Sequence, residues 1–183
     1  MLSCSVRVMP KRSENRTVTL GLLLVVVLGC RGGRDVVAPY TAPVKPTTAE
    51  FAAATEAWRW KMPVTAEPLL ITALGDVFVL IDGRVLYLDT GSGELIDIAR
   101  STAEWERMLR DSTNVVRWFH PDFVTRLQQH HSPLKEPYVY SPAVPPILNG
   151  ELTAENYTPL RWDAHLHVMG QIHRQVTGSP PTR

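Results

Sequence analysis

Apolar and polar positions change rhythm several times along the chain, and each change marks an element. From Thr48 to Lys61 the chain is Ala-rich, with Phe51, Thr55 and Trp58 at helical spacing, which predicts a helix over 49–60. Residues 68–98 switch to strand patterning. Val77-Phe78-Val79-Leu80-Ile81 and Arg84-Val85-Leu86-Tyr87-Leu88 are β-prone runs separated by Asp82-Gly83, the two-residue signature of a type I′ hairpin turn. Asp89-Thr90-Gly91-Ser92-Gly93 makes a second turn, and Glu94-Leu95-Ile96-Asp97-Ile98 a third strand. The first run is apolar at successive positions, so both faces of the sheet should be covered by helices.

After the sheet the period returns to helical. Ser101-Thr102-Ala103-Glu104 has the spacing of a capping box and opens a helix over 101–110, with Trp105, Met108 and Leu109 as its apolar stripe. Pro121 opens another over 121–130, burying Phe123, Val124 and Leu127. Residues 132–150 carry five prolines and read as a long ordered loop, with Tyr138, Tyr140, Ile147 and Leu148 available for burial. A last helix, N-capped by Asp163, runs over 163–176 and ends before Gly178 and Pro180. The expected fold is α+β: a small antiparallel meander packed with several helices.

The N-terminal pattern is of another kind. Lys11, Arg12 and Arg16 precede the unbroken apolar run 20–28, which is shorter than the roughly 20 residues a spanning helix needs. A basic segment before a short apolar one is the pattern of an export signal. Val27-Leu28-Gly29-Cys30 then resembles the lipobox of bacterial lipoproteins, whose cysteine is lipidated and becomes the new N-terminus. Residues 1–29 are therefore read as a signal peptide, with Met1 or Met9 as the start, Cys30 as the lipid-bearing residue, and an uncleaved anchor as the alternative. Residues 30–48, with Gly32-Gly33, Pro39, Pro43 and Pro46, are read as a tether, 49–178 as the folded domain and 179–183 as a tail. The expected place is the cell envelope on the non-cytoplasmic side. Arg31, rather than aspartate, after the cysteine points to the outer membrane where the host has one.

Charge adds exclusions. The chain has 19 Lys and Arg against 18 Asp and Glu. The signal segment holds four basic residues and one acidic one, which leaves the mature chain with 15 basic and 17 acidic residues and a net charge of −2. Such a balance gives nucleic acid no attraction, and attachment to a membrane would come from the lipid rather than from a polybasic patch. Both cysteines, Cys4 and Cys30, lie in the first segment, so the domain has neither a disulfide framework nor a thiolate metal site.

Histidine is the one tempting chemical signal. On a helix His165 and His167 point about 200° apart, while His165 and His173 share a face but sit about 12 Å apart along the axis, too far for one metal ion. Two histidines bordering a packed face and one in solvent is the expected arrangement; His130-His131 suit a helix end. Asp82 and Asp89 read as turn residues, and Asp76 and Asp97 as strand caps. With no phosphate loop, nucleophile elbow or zinc-binding helix, the expectation is no catalytic residue, metal, cofactor or small-molecule substrate.

Several separated motifs carry a family resemblance: Gly75-Asp76-Val77-Phe78, Tyr87-Leu88-Asp89-Thr90 with Gly93, Trp118 ahead of a Pro-opened helix, the run Pro145-Pro146-Ile147-Leu148-Asn149-Gly150-Glu151-Leu152-Thr153-Ala154-Glu155-Asn156, and Gly170-Gln171-Ile172-His173-Arg174-Gln175. Together they resemble the C-terminal domain of immunity proteins against a type VI secretion DNase toxin. The resemblance implies an α+β binding domain without enzymatic activity. Joined to an export signal, it implies a lipid-tethered protein-binding module that occludes a toxin outside the cytoplasm, with Tyr138 and Tyr140 as the expected aromatic anchors. A housekeeping or structural envelope lipoprotein without a toxin partner is the alternative.

Overall fold

A computed structural model describes residues 33–42 and 44–178. Four strands, β1 (Glu67–Ile71), β2 (Val77–Ile81), β3 (Arg84–Asp89) and β4 (Glu94–Ala99), form an antiparallel meander in the order β1-β2-β3-β4. Asp82 and Gly83 turn the β2–β3 hairpin with φ of 49° and 78°, and Ile81 pairs with Arg84 across it. The helices are α1 (Gly33–Val37), α2 (Thr48–Ala54), α3 (Thr102–Met108), α4 (Ser112–Phe119), α5 (Pro121–His131) and α6 (Trp162–Val176). A second sheet pairs β5 (Tyr138–Pro142) with β6 (Tyr157–Arg161). The fold is α+β. Among the described residues no helix is long and apolar enough to cross a membrane.

The meander is covered on both faces, as the apolar run of β2 requires. Val77, Val79 and Leu88 point into a core with Phe51 of α2, Trp58, and Leu166 and Met169 of α6. Phe78, Val85 and Tyr87 point the other way, against Trp105 of α3 and Trp118 and Phe119 of α4. Phe78 lies within 5.6 Å, centroid to centroid, of the rings of Tyr87, Trp105, Trp118 and Phe119. A third cluster joins Phe123, Val124 and Leu127 of α5 to Tyr140 and Tyr157.

Five expectations need correction. Residues 33–42 are not tether. Val37 is wholly buried beside Phe78 and Trp105, the Arg34 guanidinium lies 5.1 Å above the Trp105 ring, and Ala42 N–H donates to the Ile71 carbonyl at 2.9 Å. The apolar Val37 and Tyr40, on either side of Ala38-Pro39, dock this stretch against the sheet-side core. Second, the loop expected over 132–150 contains β5, whose alternating Val139 and Tyr140 both find cover. Third, the helix expected over 49–60 ends at Ala54 and passes into a 3-10 turn at Glu56–Trp58. Fourth, Arg161, not Asp163, occupies the N-cap position of α6, without a side-chain capping bond; Asp163 lies inside the first turn and pairs with Arg161 at 3.0 Å. Fifth, the predicted capping box is shifted: Ser101 accepts from Glu104 N–H, but the Glu104 carboxylate accepts from Arg100 N–H rather than from Ser101. Cys30 and the signal segment lie outside the described residues.

Candidate functional site

Helix α6 docks onto the sheet through two histidines. Both His165 and His173 are 1% exposed, not at the border of a packed face as expected, and His167 is exposed. Each meets a glycine in a strand connection. Gly75, between β1 and β2 at φ +90°, has no room for a Cβ beside His165 Nε2; a Cβ on Gly93, between β3 and β4 at φ +72°, would lie 2.5 Å from His173 Nδ1. The eight-residue spacing that rules out a shared metal ion suits two such contacts along one helix. Gly170 gives α6 a third close approach, since a Cβ there would lie 2.8 Å from Trp58 Nε1, which donates to the Leu166 carbonyl.

Thr90 joins the two histidines. His173 Nε2 donates to the Thr90 carbonyl at 2.8 Å, and His165 Nε2 lies 3.2 Å from Thr90 Oγ1. Thr90 N–H and Oγ1–H both donate to Asp76 Oδ1 at 2.8 Å. A threonine hydroxyl has one proton, here given to the carboxylate, so His165 Nε2 must carry the proton toward Thr90. Nδ1 is then the acceptor, and Ser141 Oγ–H at 2.9 Å supplies the donor. Burial favours this neutral imidazole and pushes the His165 pKa down to about 4. Burial, with the neighbouring Asp89 charge, pushes Asp76 up to about 6, against the hydrogen bonds from Thr90 that lower it. Thr72 adds a hydroxyl that donates to Asp76 Oδ2 at 3.4 Å, and the Tyr87 hydroxyl also faces the carboxylate.

The sequence Asp76, Thr90, His165, Ser141 has the order of an acid–base relay. Its serine, however, is 7% exposed and does not line the cleft that opens beside Asp76, so a substrate in that cleft would not meet the hydroxyl. The chain instead locks β1–β2, β3–β4, β5 and α6 together.

That cleft, of about 450 Å³, is the principal concave feature near these residues. Leu74, Ile147, Leu152, Tyr157 and Met169 supply its apolar walls, and Asp76, Asp89 and His120 its ionisable groups. Asp89 is fixed by its own turn, Oδ1 accepting from Gly91 N–H at 2.8 Å and Ser92 N–H at 3.0 Å. His120 sits between α4 and α5 in the left-handed region at φ 46°, and burial lowers its pKa. A smaller cavity lined by the same three residues adds Glu94 and Arg117.

The cleft is rimmed by the loop from Val144 to Leu152. Val144, Leu148 and Leu152 expose 46%, 47% and 54% of their surface. Asn156 fastens this loop: its Oδ1 accepts from Val144 N–H, and its Nδ2 donates to the carbonyls of Val144 and Glu151, each at 2.9 Å. Gly150 lies directly on the Val144 carbonyl, where no side chain fits.

The two tyrosines expected as anchors separate. Tyr140 is fully buried in the α5 cluster, and its hydroxyl donates to the Ser132 carbonyl at 2.6 Å, so its contacts are within the fold. Tyr138 is 39% exposed, but stands four residues, roughly 13 Å of strand, from the end of β5 that leads into the loop. Sequence reasoning missed Thr90, Ser141 and His120. His131, expected near the terminal carbonyls of its own helix, lies 3.1 Å from the Ala154 carbonyl instead. Among the described residues no group of three His, Cys, Asp or Glu is arranged to hold a metal ion.

No protein-family model matches the chain, and no curated protein matches it either. Among solved structures, the crystal structure of Atu4351 from Agrobacterium tumefaciens is similar at 18% identity and a TM-score of 0.49, over 68% of this chain and 62% of that one, so the chain spans less than two thirds of that protein's length.

Proposed function

We propose that the chain is a lipid-anchored binding module of the cell envelope that acts by occluding a protein partner, in the manner of the type VI secretion immunity proteins its motifs resemble. One observation carries the reading: the loop from Val144 to Leu152 presents three apolar side chains to solvent on a backbone held by the Asn156 side chain. Exposed apolar side chains on a fixed backbone are what an interface core needs, because little conformational freedom remains to be lost on binding. The relay-like chain at His165 serves this purpose by holding the sheet turns that support the cleft. The partner meets Val144, Leu148 and Leu152; Tyr138 contributes at the margin. The lipid on Cys30 keeps the module where an incoming toxin would arrive.

The test is genetic and direct. The gene is deleted and the strain is co-cultured with its unmodified parent. Killing of the deletion strain, reversed by the intact gene and not by a Leu148→Asp version that reaches the envelope in normal amount, supports the reading. Equal survival, with no protein from a neighbouring locus binding the purified chain, overturns it in favour of a housekeeping lipoprotein.

A further inference from the structure

The groove beside the apolar loop has a charge that its lining leaves unanswered. Its walls are apolar, but Asp76 and Asp89 stand in it and no lysine or arginine lines it. His120, the one basic side chain of the lining, is exposed, and desolvation lowers its pKa against the opposing pull of Asp89. Asp89 makes no ion pair among the described residues, and only its Oδ1 accepts hydrogen bonds there, from Gly91 and Ser92. A carboxylate with one oxygen tied to the backbone and the other unclaimed, at the edge of an apolar groove, favours a cation that brings its own aliphatic stem.

We propose that this groove seats a basic side chain of the protein partner, arginine or lysine, with its cationic head against Asp89 and its stem along Ile147, Leu152 and Tyr157. The inference rests on the reading that this face meets a protein, and it specifies that partner's anchor. The apolar rim takes the residues flanking the basic one, and the fixed carboxylate sets the register. Arginine fits better than lysine, because its planar, weakly hydrated head loses less on leaving water for a groove with apolar walls.

The experiment titrates N-acetyl-arginine amide into the isotope-labelled full chain in detergent micelles, following the backbone amides of Thr90, Gly91 and Ser92. Saturable shifts are expected with the arginine compound and none with its uncharged isostere, N-acetyl-citrulline amide. Asp89→Asn keeps an acceptor for Gly91 and Ser92 and should weaken binding about tenfold, the worth of one charge-assisted hydrogen bond. Equal shifts with both compounds, or none with either, overturn the inference. Leu148→Asp lies outside the groove lining and adds no positive charge, so it should not weaken the arginine titration while abolishing protection in co-culture. A toxin that binds Asp89→Asn as tightly as wild type would overturn the cationic anchor and leave the binding-module reading intact; arginine binding without any protein partner would do the reverse.

Discussion

Gly93 and His173 touch at a distance that only glycine allows: a Cβ on Gly93 would fall 2.5 Å from the imidazole Nδ1. The same arrangement recurs eight residues earlier in α6, where His165 covers Gly75. Two sheet turns are thus each closed by a histidine from one helix, with Thr90 bonded to both.

Gly75→Ala and Gly93→Ala should each destabilise the chain by about 2–4 kcal/mol, combining left-handed backbone strain with overpacking against a buried ring. Gly83, equally left-handed but with open space where a Cβ would go, isolates the backbone part, so Gly83→Ala should cost less than either. Chemical denaturation of the three variants checks the order.

The pKa shifts of Asp76 and His165 have opposite consequences for folding. Asp76 ordinarily titrates near 3.8 and is raised to about 6 by burial, so its contribution is present below pH 3.8 and lost as pH rises to 6. His165 ordinarily titrates near 6.5 and is lowered to about 4, so the unfolded chain binds the extra proton between those values and stability rises with pH there. The two slopes, each at most about 1.4 kcal/mol per pH unit, oppose each other between about pH 4 and 6. Relative to wild type, Asp76→Asn should therefore gain stability as pH rises through that window, and His165→Gln should lose it. Urea midpoints at several pH values measure this, and slopes of the same sign in both variants would contradict the network.

Tyr138 and Tyr140 separate burial from exposure on one strand. Tyr140→Phe leaves the Ser132 carbonyl without its donor and should cost about 1–2 kcal/mol, whereas Tyr138→Ala should change stability by less than about 1 kcal/mol. Thermal unfolding distinguishes them.

What the sequence revealed was local, and what it hid was assembled from a distance. The Asp82-Gly83 hairpin, the sandwiched β2 and the Pro121 helix depend on neighbours in sequence, and each was readable there. The α4 helix was not legible because its apolar face is made of Val115, Trp118 and Phe119, β-branched and aromatic residues with little helix preference of their own. Thr90 and Ser141 gave no signal, since a hydroxyl in a turn or strand is ordinary until 75 or 24 residues of chain bring His165 to it. Gly75, Asp76, Asp89, Gly93 and His173 stand in separate sequence motifs, and the structure gathers them around one cleft and its supporting turns.

Lipidation is tested by metabolic labelling with a fatty-acid analogue: Cys30→Ser should abolish the label and release the chain from the membrane fraction, and equal labelling of both proteins would refute the anchor.

Residues 144–152 keep their backbone shape through the side chain of Asn156. Asn156→Ala deletes three side-chain hydrogen bonds that tie residues 144 and 151 together. Since the loop is exposed, water can replace those bonds, and the loss of stability should be modest, about 1–2 kcal/mol. The loss of partner affinity should be larger in proportion, because a loosened loop must be ordered again when Val144, Leu148 and Leu152 are buried, at about 1 kcal/mol or more for each residue fixed. Leu148→Asp should show the opposite profile, with stability unchanged and binding abolished. Calorimetric binding to the partner, set beside unfolding curves of the same two variants, separates an ordering cost from a lost contact: Asn156→Ala should bind more weakly with an unfavourable entropy change. If Asn156→Ala binds as tightly as wild type, the fastened backbone has no part in recognition and the apolar side chains act alone.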